Sequence, residues 1–159
     1  HRRPDQTLDL RGVKPAHEGS FVAGKAQQTA KFEAVTARFV CLEATSSLAG
    51  DAFTTCAELQ LLDSNGKNLP RSGWKIVYAD SEELSGDDGS ASNVLDGAKD
   101  SFWHTQWQDA SPTHPHQLVI DLGSEQTITG VRMLPRQNSD HGRIGTFRLY
   151  ASREAFPGL

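Results

Sequence analysis

Residues 117–134 read QLVIDLGSEQTITGVRML. Leu118, Ile120 and Leu122 alternate with polar or outward-facing neighbours, and after the Gly123 turn signal in DLGSE the alternation resumes through TITGVRML. A repeat of two is the period of a β-strand, whose successive side chains point to opposite faces. The same pattern recurs in TAKFEAV (29–35), RFVCLEA (38–44), AELQLL (57–62), WKIVYA (74–79) and TFRLYA (146–151). Between these runs stand residues that tolerate tight turns: Asn65-Gly66, Gly86 to Gly89 in SGDDG, and Asn138 to Gly142. Short alternating strands punctuated in this way predict an all-β sandwich. Helix is expected only in SASNVLD (90–96), with Ser90 or Ser92 as its cap. Residues 1–11 carry no periodicity and are expected to form a loosely held arm.

The 159 residues suit one domain with a real core. Sixteen basic against twenty acidic side chains give a net charge of −4, and the one basic cluster is the HRR start. That balance argues against a nucleic-acid partner, whose phosphates call for a basic face. No window reaches the eighteen or so apolar residues of a membrane span, so membrane insertion is not expected. Residue 1 starts no charged-then-apolar leader, and the chain reads as a piece of something longer. No G-x-S-x-G, H-E-x-x-H, C-x-x-C or phosphate-loop pattern is present. The carboxylate pairs Glu82-Glu83 and Asp87-Asp88 read as a solvated acidic loop, and the protein is expected to be non-catalytic. Cys41 and Cys56 lie in two alternating segments that could meet across a sheet. A disulfide, and with it an oxidising compartment, is the expectation; two buried thiols are the alternative.

Five segments, WKIVYADSEE, ASNVLDGAKDSFWHTQW, PHQLVIDLG, ITGVRMLPRQ and GRIGTFRLYAS, occur in order between residues 74 and 152. Together they resemble the first half of a discoidin domain, the F5/8 type C domain of coagulation factors, in its bacterial carbohydrate-binding module family 32 form. Residues 12–62 resemble the second half of that family through KPAHEGSF, QQTAKFEAVTARFVCLEATS and AELQLLD. The resemblance implies a galactose-binding-domain-like jelly-roll sandwich, with its halves in reversed order. We read 12–159 as one circularly permuted domain, 12–62 being the family's second half and 74–159 its first. Residues 63–73 would then bridge the usual ends, with the new break between Leu159 and Arg11. Two half-domains from a tandem array, completed by swapping, are the alternative.

The stretch NVLDGAKDSFWHTQW (93–107) then divides in two. NVLDGAKDS resembles the family's structural calcium loop: Asp96, Asp100 and Ser101 offer side-chain oxygens, Asn93 a further one, and the glycine turn offers carbonyls to a hard cation. Plain turn-forming aspartates are the competing explanation. In FWHTQW, Trp103 suits the core, whereas Trp107 adjoins the polar loop QDASPTHPHQ, where a large aromatic needs a ligand to justify it. A pyranose ring has apolar C–H faces for stacking and hydroxyls that need directed partners. In the resemblance such partners come from His104, Arg136, Gln137, Asn138 and His141, with Arg143 nearby. His104 could instead be a structural histidine, and Arg136 could pair with Asp109 or Asp140. The expectation is a secreted, periplasmic or cell-surface, calcium-stabilised module, monomeric within a larger polysaccharide-active chain, that binds a neutral, galactose-type carbohydrate. A protein-adhesion domain is the alternative. A copper brace using His1 and a metal clip at His114 and His116 are remoter ones.

Overall fold

The computed structural model describes residues 8–159, which form strands β1 (His17–Ser20), β2 (Gln28–Ala44), β3 (Thr55–Cys56), β4 (Glu58–Leu62) and β5 (Lys75–Ala79), a 3-10 helix η1 (Ala91–Leu95), and strands β6 (Trp103–His104), β7 (His116–Leu134) and β8 (Thr146–Ser152). Expected strands 29–35 and 38–44 fuse into β2, and 117–122 and 127–134 fuse into β7. The turn signals between them do not reverse the chain. Gly123, at φ 82°, sits inside β7, and the β2–β7 ladder absorbs the irregularity through register shifts between Lys31 and Val35 and between Ala37 and Phe39. Such bulges bend a strand without ending it.

All strand pairs are antiparallel, in the order β1-β8-β2-β7-β4, with β5 also paired to β7. β5 lies along the first part of β7, with Ile76 opposite Ile120, and β4 along the second, with Leu61 opposite Val131. The two long strands thereby serve both layers of a discoidin-like β-sandwich. Strands on either side of the 63–73 connection hydrogen-bond to one another, so residues 12–62 and 74–159 build one fold.

Alternation decides what each strand buries. Val40, Leu42, Leu118, Ile120, Ile128, Val131 and Met133 enter the main core with Trp74, Trp103, Phe147 and Leu149. Cys41, Val119, Tyr78, Tyr150 and Phe156 form a second cluster. Cys41, flanked by core residues on its own strand, necessarily faces away from them. Cys56 belongs to the main core. The expected disulfide is therefore absent: both cysteines are buried free thiols, and burial pushes both pKa values up.

Two smaller expectations also change. Residues 8–11 are held, since Leu8 and Leu10 pack on the second cluster and the Asp9 N–H donates to the Pro157 carbonyl at 2.9 Å. The rest of the expected arm, and His1 with it, lies outside the described residues. η1 forms as expected, but Ser90 gives it no side-chain cap; its hydroxyl donates to Asp88 at 2.7 Å.

Candidate functional site

One rim of the sandwich gathers loops from three parts of the chain. β6 carries His104 into the loop that presents Trp107; the segment after β7 carries Arg136 and, beyond a turn, His141; the segment before β3 carries Phe53. These residues and Asp87 line a cavity of about 250 Å³. The structure thus brings together four of the six residues expected to bind carbohydrate: His104, Trp107, Arg136 and His141. Gln137 and Asn138 line a neighbouring cavity of about 270 Å³ with Lys99 and Asp100.

Trp103 and Trp107 divide as their surroundings demand. Trp103 is fully buried and its indole N–H donates to the Ser81 carbonyl at 2.9 Å, whereas Trp107 is 40% exposed. Glu83 fixes the backbone around Trp107. Its carboxylate, 1% exposed as part of the residue, accepts N–H groups from Ser85, Gly86, Trp107 and Gln108 at 2.8–3.0 Å. These backbone donors hold its carboxyl down at about 2. Glu83 is therefore an internal anchor rather than part of a solvated acidic loop, and its neighbour Asp87 faces the cavity. Gly86 leaves room for the indole in this posture: a Cβ there would stand 2.6 and 2.7 Å from Trp107 Cη2 and Cζ2.

His104 is both structural and available. It is buried, its Nδ1–H donates to the Thr105 carbonyl at 2.6 Å, and its ring lies against Phe53 at 5.2 Å. Burial lowers its pKa, so the neutral ring keeps Nε2 as an acceptor. Arg136 lies over the Phe102 ring, 4.2 Å from its centroid, and its Nε donates to Asn138 Oδ1 at 2.7 Å. Burial lowers the pKa of this arginine from its ordinary value. It makes no ion pair with Asp109 or Asp140, and among the described residues its two Nη groups have no hydrogen-bond partner. Arg143 turns inward to hold the Arg136 carbonyl with two bonds of 2.9 and 3.0 Å, and so positions Arg136. The His141 turn is pinned in the same way: Thr55 Oγ1 donates to the His141 carbonyl at 2.7 Å, and the Gly142 N–H to Asp51 at 3.1 Å. Gly142 adopts φ 68°, the left-handed region where a side chain is strained.

The loop expected to hold calcium is closed by its own hydrogen bonds. Asp96 accepts the Ala98 N–H at 2.8 Å and the Ser101 hydroxyl, closing the loop. Its carboxyl also meets that of Glu58 on β4. Arg71 stands 2.9 Å from Glu58, and burial raises the Glu58 pKa. Asn93 spends its amide donors on the Asp88 and Phe102 carbonyls, both at 3.1 Å, and Asp100 lines the Lys99 cavity instead. Side-chain oxygens of Asp96, Ser101 and Glu58 thus gather at this loop, and oxygen is the donor type a hard cation takes. No three His, Cys, Asp or Glu residues cluster as metal ligands among the described residues. The His114–His116 clip fails on geometry, because both His116 ring nitrogens are taken, by Asp80 at 2.9 Å and the Ala52 carbonyl at 2.8 Å.

Phe53, Asp87 and Glu58 were not legible as site residues. Phe53 and Asp87 lie in loops without period, and only a bulky aromatic in GDAFTT (50–55) hinted at the first. Glu58 reads as an ordinary strand position.

Comparison with known proteins converges on these elements. The F5/8 type C domain family model matches residues 77–155, from β5 through β8. A sialidase of Micromonospora viridifaciens is 34% identical over 142 residues, 88% of this chain and 21% of its own length. A galactose oxidase of Gibberella zeae is 35% identical over 91 residues, 56% of this chain and 13% of the oxidase. An A type blood N-acetyl-alpha-D-galactosamine deacetylase of Flavonifractor plautii is 34% identical over 64 residues, 40% of this chain and 8% of the deacetylase. The chain spans about a fifth or less of each relative. The matched segment carries β7, β8 and five of the six residues that line the cavity, and the chain belongs to the F5/8 type C, or discoidin, domain family.

Proposed function

We propose that this protein is a non-catalytic carbohydrate-binding module of a larger, exported polysaccharide-active or surface protein. One observation carries the reading: a half-exposed indole, Trp107, borders a small cavity where free arginine donors and a neutral histidine acceptor converge. A sugar's C–H face would stack on the indole while Arg136 Nη groups donate to hydroxyl oxygens and His104 Nε2 and Asp87 accept hydroxyl hydrogens. Asp87 is the one carboxylate lining the cavity among the described residues, whereas glycoside cleavage ordinarily uses two facing acids. The names of two relatives, a galactose oxidase and an N-acetylgalactosamine deacetylase, support a galactose-type ligand.

The same reading includes a calcium ion in the 96–101 loop. Asp96, Ser101 and Glu58 would hold it with loop carbonyls, and when bound it would supply a fixed positive charge between two touching carboxyl groups. Asn93 would act by holding the Phe102 carbonyl, and Asp100 through its backbone. It also includes the reversed order of halves, supported by the contact of Asp9 with Pro157, which places residues near either end of the described chain side by side.

Calorimetric titration with D-galactose tests the function. Binding between micromolar and millimolar is expected, about 4–8 kcal/mol. Arg136→Ala should weaken it ten- to a hundredfold, since hydrogen bonds to charged groups contribute about 1.5–3 kcal/mol, and Trp107→Ala should weaken it while leaving the fold intact. Undiminished binding by both variants would move the site. Absence of binding to galactose and to a glycan array would turn the assignment to protein recognition.

A further inference from the structure

The candidate cavity does not end at Arg136. Its neighbour, about 270 Å³ and lined by Lys99, Asp100, Gln137 and Asn138, shares a wall with it: Asn138, in the second cavity, accepts the Arg136 Nε hydrogen bond at 2.7 Å, and Arg136 lines the first. That wall is rigid. Arg136 is stacked on Phe102 and its carbonyl is clamped by Arg143, while Gln137 donates to the Lys25 and Pro135 carbonyls at 3.0 and 2.6 Å. A single cavity of 250 Å³ falls below the roughly 300–1,000 Å³ of small-molecule sites, and the pair taken together falls within that range.

The two cavities differ in chemistry. The first is lined by the Trp107 indole, the Phe53 ring and two imidazoles; the second has no aromatic lining, one cation, one anion and two amides. Opposite charges side by side disfavour a ligand of either net charge and favour one dense in hydroxyls, which can donate to Asp100 and accept from Lys99. Resting on the carbohydrate reading of the first cavity, we propose that the second is an adjoining subsite for a neutral sugar, so that the natural ligand is an oligosaccharide of at least two units. The first unit is held by stacking and Arg136, and the second by hydrogen bonds to Lys99 and its neighbours. Because Lys99 and Asp100 belong to the loop closed by Asp96 and Ser101, order in that loop sets the second subsite.

The test compares D-galactose with a panel of neutral disaccharides that contain galactose in different linkages, titrated into the wild-type protein and into Lys99→Ala. At least one disaccharide should bind about fivefold or more tightly than galactose. Lys99→Ala should erase that advantage and leave the galactose affinity unchanged, and its melting temperature should match the wild type because Lys99 is exposed. If galactose binds and no disaccharide exceeds it, or if the advantage survives Lys99→Ala, the second subsite is refuted while the first stands. If neither galactose nor any disaccharide binds, both fall together.

Discussion

Replacing Gly86 by alanine separates the posture of Trp107 from the stability of the fold. Gly86 lies outside the left-handed region, so its backbone accepts an L side chain, and its N–H can still donate to Glu83 at 2.8 Å. The added methyl would nonetheless meet Trp107 Cη2 at 2.6 Å, Cζ2 at 2.7 Å and Gln108 Oε1 at 2.5 Å. Carbon atoms pack comfortably at about 3.5–4.0 Å, so the indole must withdraw by about 1 Å. Trp107 is 40% exposed and can do so into solvent. The cost to folding should stay near the ±0.5 kcal/mol of surface changes, a melting shift of about 2 °C or less in a domain of this size. Stacking geometry is lost with the move; a stacked aromatic contact contributes about 0.5–1.5 kcal/mol, which predicts a roughly two- to tenfold weaker galactose affinity. Calorimetry on wild type, Gly86→Ala, Trp107→Ala and the double variant forms a cycle in which Gly86→Ala should have no further effect once the indole is gone. Equal affinity losses from Gly86→Ala in both backgrounds, or no loss with an unchanged melting curve, would refute the reasoning.

Three other outcomes are expected. Glu83 has a folded pKa near 2 against an ordinary 4.5; its contribution is complete above about pH 4.5 and is lost as pH falls toward 2, so stability followed over this window should fall more steeply in the wild type than in Glu83→Gln, and parallel slopes would disprove the anchor. Chelation with EDTA should lower the melting temperature and calcium should restore it, since an ion at a hundredfold its dissociation constant adds about 2.7 kcal/mol to the folded state; an unchanged melt would remove calcium from the loop. A chain re-opened within 63–73 and joined by a short linker between 159 and 8 should fold and bind galactose as the parent does, whereas an unfolded product would count against the permuted order.

What the sequence revealed depended on whether one residue's neighbours along the chain were enough to define its surroundings. The strands were legible because alternation is local, and Trp107 stood out because a tryptophan amid QDASP has no core to enter. Gly123 misled because a positive φ serves a reversal and a bulge equally well, and only the partner strand decides between them. The cysteines misled through pairing at a distance, although the run Val40, Cys41, Leu42 already placed the thiol opposite to two core side chains. Glu83, Phe53 and Asp87 were illegible for a different reason. Their roles come from loops that meet across the fold, and a carboxylate holding four backbone amides has the same sequence signature as one in water.

The pairing of β2 with β7 has a consequence for how the molecule is made. Gln28 joins Met133 and Ala44 joins His116, so the ladder that supports both layers must close around a large part of the chain before any of its hydrogen bonds forms. Closing a loop of about 70 residues costs on the order of 4 kcal/mol in chain entropy, and topologies dominated by such distant contacts fold in milliseconds to seconds. Phe53, Asp87, His104 and Trp107 all lie in the segment enclosed by that closure, and Arg136 and His141 lie just beyond it. The binding rim therefore cannot be assembled as a local unit and should be completed only after the central ladder has formed, which makes ligand recognition a late report that the entire domain has folded.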